Sequence, residues 1–376
     1  MRRFLITCTL LLLLVAACGN PQTTATPAAS PATVLADTPQ PSPSPTPNAA
    51  PTVTPTLSTY QDFLPRPSEG SLRVLSYNVN WDSIFPDDDP QNHDLRAFNR
   101  VEAFKRILRA LQPDVICLQE INYLRSSEQI GVLVADALGS DEAWYAAKER
   151  DTFIVSRFPL EQDGYELVVT GVVNALQQAA ALVDLPDAVY GNTDLYLICA
   201  HFKAGGTTSD ILLRQEQADV IMAHIQDALS PGENLDLAAE TPYLLVGDFN
   251  IYDTDPHNHL WTMLRGDIYN ERRYGNDFAP DWDVTTLSDA APNHNGLGKE
   301  GYTWRDDASS FPPGSFDRIL YTDSVLRLEN TFVLNTTLLA PEVLSAWGMM
   351  ADDVLLAGEA GVYDHLPVVA DFEILP

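Results

Sequence analysis

Hydrophobic and polar positions follow two periods along this chain. Short runs rich in apolar residues recur, bounded by polar and turn-forming residues: Leu72–Val79, Val115–Leu118, Thr152–Ser156, Glu166–Thr170, Ala180–Asp184, Leu195–Ala200, Tyr243–Val246, Phe316–Tyr321, Thr331–Leu334 and Val368–Ile374. Their length and borders predict strands, and a further strand is expected near Gly301–Trp304. Other stretches carry apolar residues at helical spacing. Ala97–Leu111 places Val101, Phe104, Ile107, Leu108 and Leu111 on one face. A second helix is expected from Ser127 to Leu138, closed by Gly139. A long third helix is expected from Asp210 to Leu229. A short fourth opens at Pro256, capped by Asp255, and runs to Leu264. Apolar strands alternating with amphipathic helices predict helix-covered sheets, and the strand count predicts two of them.

Composition restricts which part of the chain folds. Met1-Arg2-Arg3 is a basic start, followed by an apolar run from Phe4 to Val15, of signal-peptide length and short for a membrane span. It closes with Val15-Ala16-Ala17-Cys18, which resembles the bacterial lipobox. Residues 1–17 are therefore expected to be a lipoprotein signal, with Cys18 the lipidated residue of an extracytoplasmic membrane lipoprotein. Residues 18–67 are rich in Pro, Thr, Ser and Ala and cannot bury a core, so they read as a disordered tether. The catalytic domain is expected over 68–376, as a monomer. Cys117 and Cys199 sit inside apolar strands and are expected to be free, buried cysteines, although an oxidising compartment would allow a disulfide between them. The 376-residue chain carries a formal charge of −30. Tight nucleic-acid binding is disfavoured by that charge, because such affinity comes from neutralising phosphates. A metal-dependent phosphoesterase is not excluded, since the metal supplies local positive charge.

The candidate chemistry lies where apolar runs give way to polar groups. Tyr243–Val246 leads through Gly247 into Asp248 and Asn250, two oxygen-bearing side chains two residues apart. Asn78, Glu120, His201, Asp317, Asp364 and His365 stand at the borders of other strands. Carboxylates of this kind hold Mg²⁺, amides orient phosphate or water, and histidines move protons or stabilise a phosphorane oxygen. The parts of rival chemistries are missing: there is no G-x-S-x-G elbow, no Walker A loop and no H-E-x-x-H.

In order, the segments YN (77–78), QE (119–120), SRFP (156–159), HF (201–202), GDFN (247–250), DRI (317–319) and DHLP (364–367) resemble the endonuclease/exonuclease/phosphatase superfamily, the DNase I-like fold. The resemblance spans residues 70–374. It implies an α/β (α+β) four-layer sandwich, with two central, mostly antiparallel sheets flanked by helices, and Mg²⁺- or Mn²⁺-dependent phosphoester hydrolysis. By the same resemblance Glu120 is the principal metal ligand, with Asn78 beside it and Asp364 on the metal side. Asp248 and Asn250 orient the attacking water and bind phosphate. His365 is the essential histidine, with Asp317 as its carboxylate partner, and His201 is the second histidine. Arg157 and Lys203 are candidate phosphate contacts. No counterpart is evident for the carboxylate that pairs with the second histidine.

A surface nuclease acting on extracellular nucleic acid is the leading expectation. A phospholipid or sphingomyelin head-group phosphodiesterase, or an inositol or sugar phosphatase, keeps the chemistry and changes the substrate. A retired hydrolase kept as a binding module is the non-enzymatic alternative. An exposed aromatic rim would favour lipid, and a basic groove nucleic acid. Asp87-Asp88-Asp89 reads as a solvated loop, with Ca²⁺ considered only as a structural ion. His224 follows Val220 and Ile221 at helical spacing and reads as a residue at the helix–core boundary.

Overall fold

Strands form at nearly all the apolar runs. The computed structural model describes residues 63–92, 98–167, 178–232, 235–252, 259–296, 300–356 and 363–375. In chain order the strands are β1 (Leu72–Asn78), β2 (Val115–Gln119), β3 (Tyr145–Glu149), β4 (Thr152–Ser156), β5 (Leu160–Glu161), β6 (Ala179–Val183), β7 (Leu195–His201), β8 (Tyr243–Asp248), β9 (Ser288–Asp289), β10 (Asp317–Tyr321), β11 (Leu326–Val333) and β12 (Val368–Ile374). The helices are α1 (Val101–Leu111), α2 (Ser127–Leu138), α3 (Asp187–Tyr190), α4 (Thr208–Ala228), α5 (His259–Arg265), α6 (Glu271–Tyr274) and α7 (Pro341–Trp347).

Two six-stranded sheets result, in the orders β11-β12-β1-β2-β4-β3 and β5-β6-β7-β8-β10-β9. Only β1 with β2 and β7 with β8 pair in parallel; the other pairs among the described residues are antiparallel. Alternation assigns the faces of the second sheet. Leu195, Leu197 and Cys199 of β7, with Leu244 and Val246 of β8, join the core between the sheets. Tyr196, Ile198, Tyr243 and Leu245 face the other way and pack with Val220, Ile221 and Ile225 of α4. Phe104, Ile107 and Leu108 of α1 and Ile130 and Val134 of α2 belong to the same core as the first sheet. The arrangement is the expected four-layer sandwich. The described helices include none long and apolar enough to cross a membrane.

Local chemistry sets the helix ends. Ser126 and Gln129 form a reciprocal capping box on α2, and Gly139 ends it in the left-handed region at φ 67°. Thr207 and Asp210 do the same for α4, so that helix begins two residues before the expected Asp210.

Several expectations need correction. Glu166 and Leu167 are not strand, and residues 168–170 lie outside the described residues. Trp304 makes single bridges to Gly314 and His365 in place of a strand over 301–304. Asp255 and Pro256 lie outside the described residues, and α5 starts at His259. The folded domain begins before residue 68: Phe63 and Leu64 are buried, Phe63 against the Phe332 ring. Cys117 and Cys199 are joined in a disulfide. One lies on β2 and the other on β7, on facing sides of the two sheets, with Cα atoms 5.4 Å apart. That separation suits a bridge, and the single strands read in isolation did not reveal it.

Candidate active site

Strand register alone gathers the polar residues at one edge of the sandwich. β1 and β2 run in parallel, so Asn78 and Gln119 lie side by side and Glu120 follows at once. β7 and β8 are also parallel, with His201 opposite Asp248. β10 is antiparallel to β8, which puts its first residue, Asp317, opposite Asp248. β12 is antiparallel to β1, so Asp364 and His365 arrive beside Asn78 just before the strand begins.

Close backbone packing explains the glycine of the GDFN segment. Gly247 has φ 142°, and a Cβ there would lie 2.0 Å from the Ala200 carbonyl oxygen on β7. Without a side chain at 247, β8 comes close to β7 and holds Asp248 beside His201. Asn250 takes φ 50° just past the strand. Its side-chain amide donates to Asp248 Oδ2 at 3.1 Å and its backbone N–H to Asp248 Oδ1 at 2.9 Å.

Asn78 bridges the two sheets. Its Nδ2 donates to Glu120 Oε1 and to Asp248 Oδ2, both at 3.1 Å, and its Oδ1 accepts from the Asn80 backbone. Asn78 therefore orients two carboxylates, and its own amide is fully engaged. Asp364 is engaged as well: Trp304 Nε1 donates to one oxygen at 3.1 Å and Asn80 Nδ2 to the other at 2.7 Å.

Buried oxygens at this edge without a hydrogen-bond partner include Glu120 Oε2, Asn80 Oδ1 and Asp317 Oδ1. Hard oxygen donors of this type suit a divalent cation, and buried polar atoms are otherwise almost always paired. Asp248, Asp317 and His365 also bring ligand atoms within 4.8 Å of one another, a group that could bind a metal. Within it His365 Nδ1 is bonded to Asp317 Oδ2 at 2.7 Å, while Asp317 Oδ1 has no hydrogen-bond partner.

The histidines carry matched carboxylates. His365 Nδ1 faces Asp317, which leaves Nε2 3.4 Å from Asp248 Oδ2. Thr303 Oγ1 accepts from the Asp317 backbone N–H at 2.8 Å and fixes the start of β10. His201 Nδ1 meets Asp151 Oδ2 at 2.8 Å, with Nε2 3.8 Å from both Glu120 and Asp248. Asp151 is the missing second carboxylate. Burial alone would lower His201, but Asp151, with Asp248 and Glu120, outweighs it and lifts the imidazole to about 9. Burial likewise opposes a charged His365, and Asp317, Asp248 and Asp364 overcome it, raising the group well above its usual range. Burial pushes the Glu120 carboxyl up against the pull of His201.

Of the expected residues, Asn78, Glu120, His201, Asp248, Asn250, Asp317, Asp364 and His365 all converge. Lys203 also lines the cleft, its ammonium 3.3 Å from Asp210. Arg157 does not. It follows β4, which runs antiparallel to β2, and so it ends at the opposite edge, 3.1 Å from Asp114. Asp89 of the acidic run pairs with Arg125 at 2.7 Å and accepts from the Gln91 backbone, an ion pair in place of a calcium site. The sequence reading missed Asp151, Asn80 and Trp304. The Asn78-Val79-Asn80 spacing was a usable signal for Asn80.

The chain belongs to the Endonuclease/Exonuclease/phosphatase family, whose model matches residues 75–338. This places it among the phosphoester hydrolases, of the phosphodiesterase and nuclease type. Solved structures of low identity align with 81% of the chain. An endonuclease/exonuclease/phosphatase from Bacteroides vulgatus is 16% identical over 81% of this chain and 99% of its own, with a TM-score of 0.48. A protein of the same description from Beutenbergia cavernae is 17% identical over 81% and 72%, at 0.44. The human nocturnin catalytic domain with bound sulfate is 16% identical over 81% and 95%, at 0.44. No curated protein sequence matches the chain.

Proposed function

We propose that this protein is a divalent-metal-dependent phosphodiester hydrolase that acts on nucleic acid outside the cytoplasm, anchored through Cys18. The observation that carries the chemistry is the partnerless, buried Glu120 Oε2 beside two carboxylate-backed histidines. Glu120 and Asn80 would hold Mg²⁺ or Mn²⁺, which would neutralise charge on the bound phosphate. Asn250 holds Asp248 in place, and Asp248 orients the attacking water and accepts its proton as the new P–O bond forms. His365, kept protonated by Asp317, donates to a non-bridging phosphate oxygen. His201, protonated at neutral pH by virtue of Asp151, gives its Nε2 proton to the leaving oxygen as the old P–O bond breaks. The products are a phosphomonoester and a free hydroxyl.

The Cys117–Cys199 disulfide supports an oxidising compartment, as does the lipobox-like segment ending at Cys18. The decisive assay is hydrolysis of bis(p-nitrophenyl) phosphate by the full chain with Mg²⁺, with Mn²⁺ and with EDTA, beside His365→Ala. Turnover that needs the metal and is lost in the variant is expected. Turnover unchanged in EDTA would overturn the metal assignment, and none under any condition would overturn the hydrolase reading.

A further inference from the structure

The catalytic cleft has a second character besides its carboxylates. Its apolar lining is aromatic. Trp304 stacks on Phe316 with centroids 5.3 Å apart and an interplanar angle of 27°. Phe316 meets Tyr252 edge-on at 4.6 Å, and Tyr252 lies 5.8 Å from Phe311 at 33°. The rings form a ladder. Its inner rung, Trp304, is tied to Asp364, the neighbour of His365. Its outer rung, Phe311, is 44% exposed.

Trp81 lines the same cleft and is 42% exposed. Its presentation is enforced. Asn80, Trp81 and Asp82 all have positive φ, at 53°, 47° and 62°, a run that non-glycine residues adopt only when surroundings dictate it. Asp82 is fully buried, takes the Asn122 N–H at 2.8 Å and gives its own N–H to the Glu120 carbonyl at 3.1 Å. Strain of this sort holds an exposed tryptophan at the cleft beside the loop that carries Glu120.

The lining also excludes alternatives. Among its described residues there is no Leu, Ile, Val or Met, so an acyl chain would find ring faces but no aliphatic bed. Besides the two protonated histidines, the cations among them are Arg150 and Lys203, in a chain of net charge −30. A duplex, bound through its phosphates, finds little to hold it. An unpaired strand is different, because each base offers a π-face to stack on an aromatic side chain.

Resting on the hydrolase reading above, we propose that Trp81 on one side and the Phe311–Tyr252 rungs on the other form a base-stacking subsite. The substrate class it selects is single-stranded nucleic acid, held by its bases while its phosphate sits among Asp248, His201 and His365.

The test compares a short single-stranded oligothymidylate with the same strand made abasic, both cleaved by the full chain with Mn²⁺. The phosphates are the same in both, and only the rings differ. Stacking of one base contributes roughly 5- to 150-fold by alanine substitution. The KM of the abasic strand is expected to be at least about tenfold higher. That ratio collapses toward one in Trp81→Ala and in Phe311→Ala, and it survives in Trp81→Phe. Either alanine variant suffices if the other fails to fold. Equal KM for the two strands overturns the subsite. Cleavage of glycerophosphocholine with neither strand touched overturns it in favour of a lipid head group. Cleavage of neither strand also overturns it, and the bis(p-nitrophenyl) phosphate assay then shows separately whether the hydrolase reading falls with it.

Discussion

The two edges of the sandwich treat buried charge in opposite ways. At the edge where β1 begins, each buried carboxylate has a guanidinium. Arg73 gives Nε and Nη2 to the two oxygens of Asp371 at 2.6 and 2.7 Å, and Nη1 to the carbonyls of Leu64 and Leu111. Asp114 accepts from Arg66 and Arg157 and from the Arg73 backbone. At the edge where β1 ends, Glu120, Asp151, Asp248, Asp317 and Asp364 meet two histidines and a set of amides. One edge is closed electrostatically. The other keeps a surplus of negative charge and partnerless buried oxygens, among them Glu120 Oε2, Asn80 Oδ1 and Asp317 Oδ1. Backbone strain gathers toward the catalytic edge without being confined to it, since Gln112 at the other edge also has positive φ, at 48°. Five non-glycine residues with positive φ, Asn80, Trp81, Glu120, Arg150 and Asn250, line the catalytic cleft. Balanced charge marks structure here, and unbalanced charge marks a place for a cation.

The strongest way to break this contrast is to remove charge at each edge in turn. Glu120→Gln and His365→Ala should each lower kcat/KM on a small diester by roughly 10²- to 10⁴-fold. In EDTA, Glu120→Gln should melt no lower than the parent, because it removes a desolvated carboxylate only partly offset by His201 3.8 Å away. A large drop in melting temperature would show that Glu120 is structural. Arg73→Met should do the reverse. It strips Asp371 of its guanidinium and leaves it only the Asn330 amide, which donates to Oδ2 at 3.0 Å, at a cost of about 3–5 kcal/mol in urea unfolding, while each folded molecule keeps its activity. Loss of activity with stability retained would remove the distinction between the edges.

The same geometry explains what could be read from the sequence. Thr152–Ser156, Val368–Ile374 and Ser127–Leu138 with Gly139 were legible to the residue, because period and borders agreed. Tyr145–Glu149 was not: Tyr-Ala-Ala-Lys-Glu at a sheet edge has little apolar signal. The site was legible mainly through the resemblance in motif order, and register supplied the convergence. Looking for polar groups where strands end suits β1, β2, β7 and β8, which leave at the catalytic edge. An antiparallel strand reverses the rule. β4 starts at that edge, so Asp151 before it belongs to the site and Arg157 after it does not.

Between the two edges lies the one covalent tie from sheet to sheet among the described residues. Cys117 and Cys199 close a loop of 82 residues, and chain entropy puts the stabilisation at up to roughly 4 kcal/mol. The double variant Cys117→Ala/Cys199→Ala should lose up to that amount in urea. It should also keep its activity within a few-fold, since neither sulfur reaches the cleft. Selective loss of activity would mean that the bridge holds β2 and β7 in register for Glu120 and His201.

A third buried histidine sharpens the comparison by titrating the other way. His224 on α4 has Tyr196 Oη at 2.6 Å and no carboxylate on its ring. Burial lowers its pKa to about 4, against a weak opposing pull from Asp227. Between pH 6.5 and 4 the unfolded chain protonates this histidine and the folded chain does not. Stability is therefore complete above about 6.5 and falls as the pH drops through that window, by on the order of 3 kcal/mol. His201, lifted to about 9 by Asp151, has the opposite sign. Its contribution is whole below 6.5 and is lost as the pH rises toward 9. Urea unfolding in EDTA at pH 4.5, 6.5 and 9 should separate them. His224→Gln should shrink the acid limb, which His294 shares because burial lowers it too, and leave the alkaline limb; Asp151→Asn should shrink only the alkaline limb, whose remainder belongs to His365. An acid limb undiminished in His224→Gln would move the effect to His294 and the carboxylates and leave the catalytic histidines without their internal contrast.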